Sequence, residues 1–346
     1  MASVSGIDCL FQSIEEIAGV QDSVYVPKNA KSPTFLKRLA QKFVHKPSVT
    51  SGRRAGSVFS GPLHDEAARV FLSMAIQKPE ARLVLSAAEN QIGEVLATAP
   101  ADVRRRVCAI VHQPPAWHRL RNPSYDHYAG LQKIICVSEC QAKFFNEKSL
   151  APVAVIRHGV RHDFFCPGNS PKQCEIDKLL FVGHWLRDLD TLTRAMKIIW
   201  REKPSTTLDC VLALESRNDF ALYELAQDDR VRWHSGIKAE SLRELYRTSD
   251  LLFLPLLDAT ANNAIVEALA CGLPVVTSNV GGIAQYVREG TGQLCNAGSS
   301  EEHAQVVCEW LKDRNRLAVA REAARQFAVE NLGWNEIARE FIDIVG

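Results

Sequence analysis

This 346-residue chain has no long apolar run. The longest, Leu251–Leu257, already contains Pro255, whereas a bilayer-spanning helix takes about 20 apolar residues. No segment is expected to cross a membrane. The opening MASVSGIDCLFQSIEEIAGV lacks a basic start and carries Glu15 and Glu16 where a secretion signal is apolar. None of the ten cysteines pairs as Cys-x-x-Cys, which argues against a zinc knuckle or a disulfide framework. Reduced, mostly structural thiols in a cytoplasmic protein are expected. Internal repeats and low-complexity tracts are absent. The formal net charge is only +1, which disfavours nucleic acid as a partner. The Arg104-Arg105-Arg106 run reads as a solvated face, since no RNA- or DNA-binding signature accompanies it.

What remains is an ordinary globular balance, 46% hydrophobic and 23% charged, long enough for about two domains. The small net charge hides an asymmetry. Residues 1–156 hold 19 basic and 13 acidic side chains, and the remainder holds 22 and 27. A basic half joined to an acidic half suggests two domains with different partners. The second half alternates short apolar runs with helical segments, the pattern of βαβ units around a parallel sheet. Strands are predicted at Lys178–Gly183, Leu208–Leu214, Arg230–His234, Leu251–Leu256 and Leu273–Thr277. Helices are predicted at Leu189–Arg201, Asp219–Ala226, Ala239–Thr248, Ala264–Cys271, Ser300–Lys312, Arg314–Glu330 and Trp334–Val345. The first half is also α/β, with strands at Arg82–Ser86, Val107–Val111, Lys133–Val137 and Val153–Arg157. Its helices are His64–Ile76 and Glu139–Lys148, and short strands are expected at Val24–Val26 and Ser57–Phe59. The Gly- and Pro-containing stretch from His158 to Glu175 lies between the halves. The expected division is therefore 1–160, a linker at 161–175, and 176–333.

The richest segment for chemistry is 251–277. A buried strand ends in a small polar loop, Asp258–Asn263, which opens into a helix capped by Asn262 or Asn263. Free N–H groups and the helix dipole there favour an anion, and Glu267 falls about one turn in. In an open α/β sheet, ligands sit at the carboxyl ends of the strands. The same pattern also describes an ordinary βαβ connection with a capped helix. Asp188-Leu189-Asp190 spells a carboxylate pair suited to a hard cation, but it precedes a helix, where Asp is a common cap. In the first half, Val107–Val111 runs into His112-Gln-Pro-Pro, which puts a histidine at a strand's carboxyl end. His118 and His127 follow at spacings that fit no helical face, so no metal site is expected. Residues 35–46 form a basic amphipathic helix candidate, either a core helix with a solvated face or a peripheral contact with anionic membrane.

The segment AIVEALACGLPVVT at 264–277, followed by Asn279-Val280-Gly281-Gly282, resembles the nucleotide-sugar signature of glycosyltransferase family 4, the group 1 glycosyltransferases. Four further matches follow the family's order. They are Val137-Ser138-Glu139, then Ile156–Val160 with Phe165 and Pro167. Next come Phe181–His184 with Arg187-Asp188 and Thr191-Leu192, and then Val231–Gly236 with Leu242, Tyr246 and Asp250. The resemblance implies a GT-B fold, two Rossmann-like domains facing a cleft, with helix 334–346 packing back on the N-terminal domain. It implies a retaining, metal-independent transfer of a hexose-type sugar from a nucleoside diphosphate sugar to a glycan, lipid-linked or small-molecule acceptor. No cofactor is expected. By the same resemblance, Gly183, His184, Arg187, Asp258, Asn262, Asn263, Ala264, Ile265 and Glu267 bind the donor. Arg187 grips the diphosphate, Glu267 holds ribose hydroxyls, and His112 meets the sugar. The chain departs from the pattern at Ala259, where the family carries a first acidic residue, at His184, where it carries an arginine, and at Leu189, where it carries a lysine. Two rival functions stay open, and the departures at Ala259 and Leu189 feed the first of them. One is a non-catalytic GT-B-like binding subunit, and the other is a nucleotide-sugar epimerase or phosphorylase.

Overall fold

The computed structural model describes residues 7–18, 77, 79, 82–91, 99–121, 124–168 and 176–346. Two compact units divide the chain. One is Met1–Ile17 with Arg157–Arg339, and the other is Ala18–Ile156 with Glu340–Gly346. The expected helices at 35–46 and His64–Ile76, the strands Val24–Val26 and Ser57–Phe59, and residues 169–175 of the linker lie outside the described residues.

After α1 (Asp8–Ala18), the N-terminal unit carries the parallel strands β1 (Leu83–Leu85), β2 (Val107–Val111), β3 (Lys133–Cys136) and β4 (Val153–Val155), side by side in that order. Between them come α2 (Ala88–Gln91), α3 (Ala101–Arg104), α4 (Pro115–Arg121) and α5 (Glu139–Lys148). Every residue of β2 is buried, which is why it reads as an unbroken apolar run rather than an alternation. Its core gathers Val107, Ala109, Ile134, Tyr128, Phe144 and Phe145. Arg104 departs from the solvated reading of its run. Its guanidinium donates to the carbonyls of Asp126 (3.0 Å) and Ala129, and so pins the turn before β3.

The C-terminal unit holds β5 (Lys178–Val182), α6 (Leu189–Glu202), β6 (Thr207–Val211), β7 (Val231–His234), α7 (Ala239–Thr248), β8 (Leu251–Leu254), α8 (Asn263–Ala270), β9 (Val275–Ser278) and β10 (Gly292–Cys295). It closes with α9 (Ser300–Lys312), α10 (Arg314–Asn331) and α11 (Trp334–Val345). The sheet is wholly parallel, in the order β10-β9-β8-β5-β6-β7. From β5 the chain builds outward through β6 and β7, then returns to place β8 on the other side of β5. The strand order reverses between β5 and β8, and in a doubly wound sheet that switch point opens a crevice at the carboxyl ends. The loops 183–188 and 255–262 leave those two ends.

Packing explains the helices beside this crevice. In α6 the residues Leu192, Ala195, Met196 and Ile199 recur at three- and four-residue spacing, all buried, and form one face toward the sheet. Asp188 caps the helix. Its carboxylate accepts the Thr191 N–H at 2.9 Å and the Thr191 hydroxyl at 2.7 Å. Both oxygens of Asp188 are thus engaged at the helix start. At the opposite, amino-terminal edge of the sheet, buried Asp177 and Asp250 hold α10 in place. Asp250 accepts the Lys178 N–H at 2.7 Å and Arg314 at 3.2 Å, and Asp177 takes Lys203 at 2.9 Å and Arg314.

Four expectations need correcting. The predicted helix Asp219–Ala226 is two short 3-10 turns, Phe220–Leu222 and Leu225–Gln227. Only Leu222 and Leu225 of that stretch are buried, a spacing of three that suits 3-10 geometry and gives no α-helical face. Residues 161–168 are packed into the C-terminal unit rather than free. Phe165 is buried, and Arg325 donates to its carbonyl and to those of His162 and Ala270. Residues 8–17, placed by the expected division in the N-terminal domain, form most of α1, group with the C-terminal unit and bury Cys9 and Leu10. Finally, α11 is divided. Glu340–Gly346 group with the N-terminal unit, where Arg82, Gln132 and Lys133 donate to the carbonyls of Gly346, Val345 and Ile344. Trp334–Arg339 group with the C-terminal unit, because the Trp334 ring seats over Gly159 and meets His158 edge-on.

Candidate active site

The loop after β5 turns through two left-handed residues, Gly183 (φ +81°) and Leu186 (φ +57°). The second is unusual for a branched apolar side chain. This turn folds Arg187 back over the strand end. Its Nε donates to the Val182 carbonyl at 3.0 Å and Nη1 to that of Trp185 at 2.9 Å, while Nη2 reaches Asn262 Oδ1 at 3.4 Å. Gly183 is required twice over, because a Cβ there would also lie 3.0 Å from Arg187 Nη2. A short bridge between Arg187 and Leu256 joins this loop to the one after β8. Burial pulls the guanidinium down to about 10, so it remains a cation at neutral pH. His184 is exposed, and Leu189 is buried in the apolar core at the start of α6.

Asn262 is the N-cap of α8, with Oδ1 accepting the Ala264 N–H at 3.0 Å. Asn263 is exposed, while Ala264 and Ile265 are buried. The amides expected to be free for an anion are engaged, since the Ile265 and Val266 N–H groups also donate to the Asn262 carbonyl. The Ala264 and Ile265 N–H groups at the helix start thus already have acceptors on Asn262. Asp258 accepts the following N–H, of Ala259, at 2.8 Å, and burial raises its carboxyl above the usual range. The loop is closed by Gly281 at φ +51°, where any Cβ would collide with the Ala259 carbonyl oxygen. Gly282 donates its N–H to that same oxygen at 2.9 Å.

Glu267 stands one turn further into α8. It is buried, and the Tyr246 hydroxyl donates to its Oε2 at 3.0 Å. One turn into α8, a side chain on that face meets α7 beneath the helix. Tyr246 is itself fully buried, and its hydroxyl is held well above its ordinary pKa, first by burial and then by the Glu267 charge. Arg187 also lies within electrostatic reach of Tyr246. No sequence spacing announces this pairing, because 21 residues separate its members.

In the N-terminal unit, His112 follows the last residue of β2. Its Nε2 lies 2.7 Å from the Ser86 carbonyl. Beside it, Glu89 of α2 accepts the backbone N–H groups of His112 and Gln113 (2.7 Å to the latter) and stands 3.7 Å from His118 Nε2. His118 is fully buried among Tyr128, Phe144 and Phe145. Burial depresses its pKa, with Glu89 opposing. His127 is pushed down to about 4 by burial and by His118. Among the described residues, no group of three His, Cys, Asp or Glu side chains is placed to hold a metal ion. Nor is any helix there long and apolar enough to cross a membrane.

This geometry, a doubly wound parallel sheet with loops converging at its switch point, defines an α/β protein of the GT-B class. Solved structures bear out the fold. An Anabaena protein, Alr3699/HepE, solved with UDP-glucose, aligns over 82% of this chain and 81% of its own at a TM-score of 0.65 and 20% identity. Sucrose-phosphate synthase from Thermosynechococcus elongatus aligns over 87% and 85% at 0.64 and 17% identity. Residues 176–313 match the family described as "Glycosyl transferases group 1". The chain is thus a GT-B-fold protein that resembles the group 1 glycosyltransferases. A curated relative, the D-inositol 3-phosphate glycosyltransferase of Rhodococcus jostii (strain RHA1), is 34% identical over 171 residues. That match covers 46% of this chain and 37% of the relative. The chain spans less than half the length of that relative.

Proposed function

We propose that this protein is a retaining glycosyltransferase that takes a hexose-type sugar from a nucleoside diphosphate sugar. The observation that carries the reading is Arg187 held against Asn262 at the start of α8, at the β5/β8 switch point, within the segment matched to group 1 glycosyltransferases. A fixed guanidinium and a helix dipole at one point stabilise the charge that grows on a leaving diphosphate. Gly183 and Ala264 let the phosphates approach the backbone, and Asp258 and Asn263 lie on the same loop. His112 is the histidine we assign to the transferred sugar. Glu267 acts through its place under α8, fixed by Tyr246. Metal independence is supported by Asp188, whose two oxygens are taken up at the cap of α6. Free thiols throughout the described cysteines, most of them buried, support a cytoplasmic setting.

The test is a thermal-shift screen with UDP, GDP, ADP and their common sugars on wild type and on Arg187→Gln. Stabilisation by one nucleotide, lost in the variant, supports the reading and names the base. Turnover is then sought with D-inositol 3-phosphate as the first acceptor, because that substrate appears in the relative's name.

A second reading, a non-catalytic binding subunit, is favoured by Ala259 and by buried Leu189, positions where the family carries a carboxylate and a cation. It predicts no turnover with any donor. Donor turnover without an acceptor would instead point to an epimerase.

A further inference from the structure

Two buried side chains meet at the loop that carries His112. Glu89, 1% exposed, accepts the N–H groups of His112 and Gln113 on a single carboxylate oxygen. Gln141 of α5, fully buried, donates from Nε2 to the carbonyls of Val111 (3.1 Å) and Gln113 (2.9 Å). Its own Oε1 is held by the Val137 N–H at 2.9 Å and the Ser138 hydroxyl at 3.3 Å. Three consecutive peptide units, 111–113, are therefore gripped from two different helices. A carbonyl oxygen only accepts, so the 2.7 Å contact with Ser86 puts the proton on His112 Nε2 and leaves Nδ1 as the basic nitrogen.

We propose that Glu89 and Gln141 are positioning residues for His112. They lock the backbone of its loop, while the Ser86 carbonyl locks its tautomer. The proposal rests on the reading of His112 as the group that meets the transferred sugar. Its physical basis is the cost of the arrangement. A carboxylate taken out of water is expensive unless its hydrogen bonds are strong and well placed. A loop that needed only a neutral cap would be served by Ser or Asn. A buried carboxylate and a buried carboxamide together hold the loop to the sub-ångström tolerance that catalytic groups require.

The experiment uses the full chain labelled with ¹⁵N-histidine, with His112→Asn identifying the His112 signal. In wild type, His112 gives the Nε2–H tautomer. In Glu89→Ala that signal shifts or broadens toward mixed tautomers; His118, 3.7 Å from Glu89, responds as well, while histidines away from Glu89, such as His303, stay in place. Glu89→Gln restores it, because an amide oxygen still accepts both N–H groups. With a turned-over donor, Glu89→Ala and Gln141→Leu lower kcat about 10- to 100-fold, the scale of a misplacement of about 1 Å. Donor affinity stays within about twofold, and Glu89→Gln recovers most of the rate.

The proposal is overturned if Glu89→Ala and Gln141→Leu keep the wild-type His112 signal or the wild-type kcat. It is equally overturned if Glu89→Gln fails to rescue. Should Glu89→Ala not fold, Glu89→Gln and Gln141→Leu decide. His112→Ala separates the two levels. Wild-type turnover there sinks the reading of His112 itself, whereas an inactive His112→Ala beside a fully active Glu89→Ala sinks only the positioning role.

Discussion

Asn262 Oδ1 accepts the Ala264 N–H at 3.0 Å and faces Arg187 Nη2 at 3.4 Å. One atom thus serves both a helix cap and the cation beside it. Asn262→Ala is expected to cost about 0.5–2 kcal/mol, the usual worth of such a cap. Urea unfolding measures it, and an unchanged midpoint would contradict the cap. Tyr246→Phe removes the hydroxyl that donates to buried Glu267. Loss of a donor to a buried acceptor costs about 1–3 kcal/mol, so this variant should unfold at lower urea with its helix content intact. Gly281→Ala should do more than lower stability. The new Cβ meets the Ala259 carbonyl, so the 258–262 loop must move and nucleotide affinity should fall. Retained affinity would show that the loop yields without disturbing the site.

The strands of the C-terminal sheet were legible because parallel strands buried on both faces leave unbroken apolar runs, as in Leu251–Leu254 and Lys178–Val182. The caps of α6 and α8 were legible too, since Asp188 and Asn262 stand where local rules put them. What could not be read were partners far apart in sequence. Nothing in the chain's spacing joins Glu89 to His112, or Tyr246 to Glu267, because the fold alone brings those elements together. Nor does the sequence tell that the Ala264 and Ile265 amides of α8 already have acceptors on Asn262.

The elements also carry a pH signature. His118, His127 and His303 all have pKa values depressed by burial, His127 to about 4 from 6.5. His303 ties α9 to β9, with Nε2 3.2 Å from the Ser278 hydroxyl, and that oxygen accepts the Leu256 N–H at 2.9 Å. Below pH 6.5 the unfolded chain takes up protons that these native imidazoles refuse, His127 doing so down to about pH 4. Their contribution to stability is therefore full above about pH 6.5 and is lost as pH falls through the native values. Urea midpoints from pH 7.5 to 4 should fall, and His127→Asn should flatten that fall. An equal slope in wild type and variant would count against a depressed His127.

Each unit has its own apolar core, one around β5 and β8 and the other around β2 and β3. Single-transition unfolding is therefore not the expectation. Calorimetry should resolve a transition for the C-terminal unit that a bound nucleotide raises, by about 2.7 kcal/mol at 100-fold over its dissociation constant. The other transition should stay in place, and a nucleotide that lifted only that one would move the donor site out of the C-terminal unit.

Gly159 gives this molecule a reporter of its own. The Trp334 ring lies so close that a Cβ at 159 would sit 2.6 Å from it, and the indole is 4% exposed. One methyl group at position 159 therefore acts as a wedge under the first turn of α11. Gly159→Ala should push the indole toward water and shift its fluorescence to the red, so that lifting of the helix is read as a change of colour.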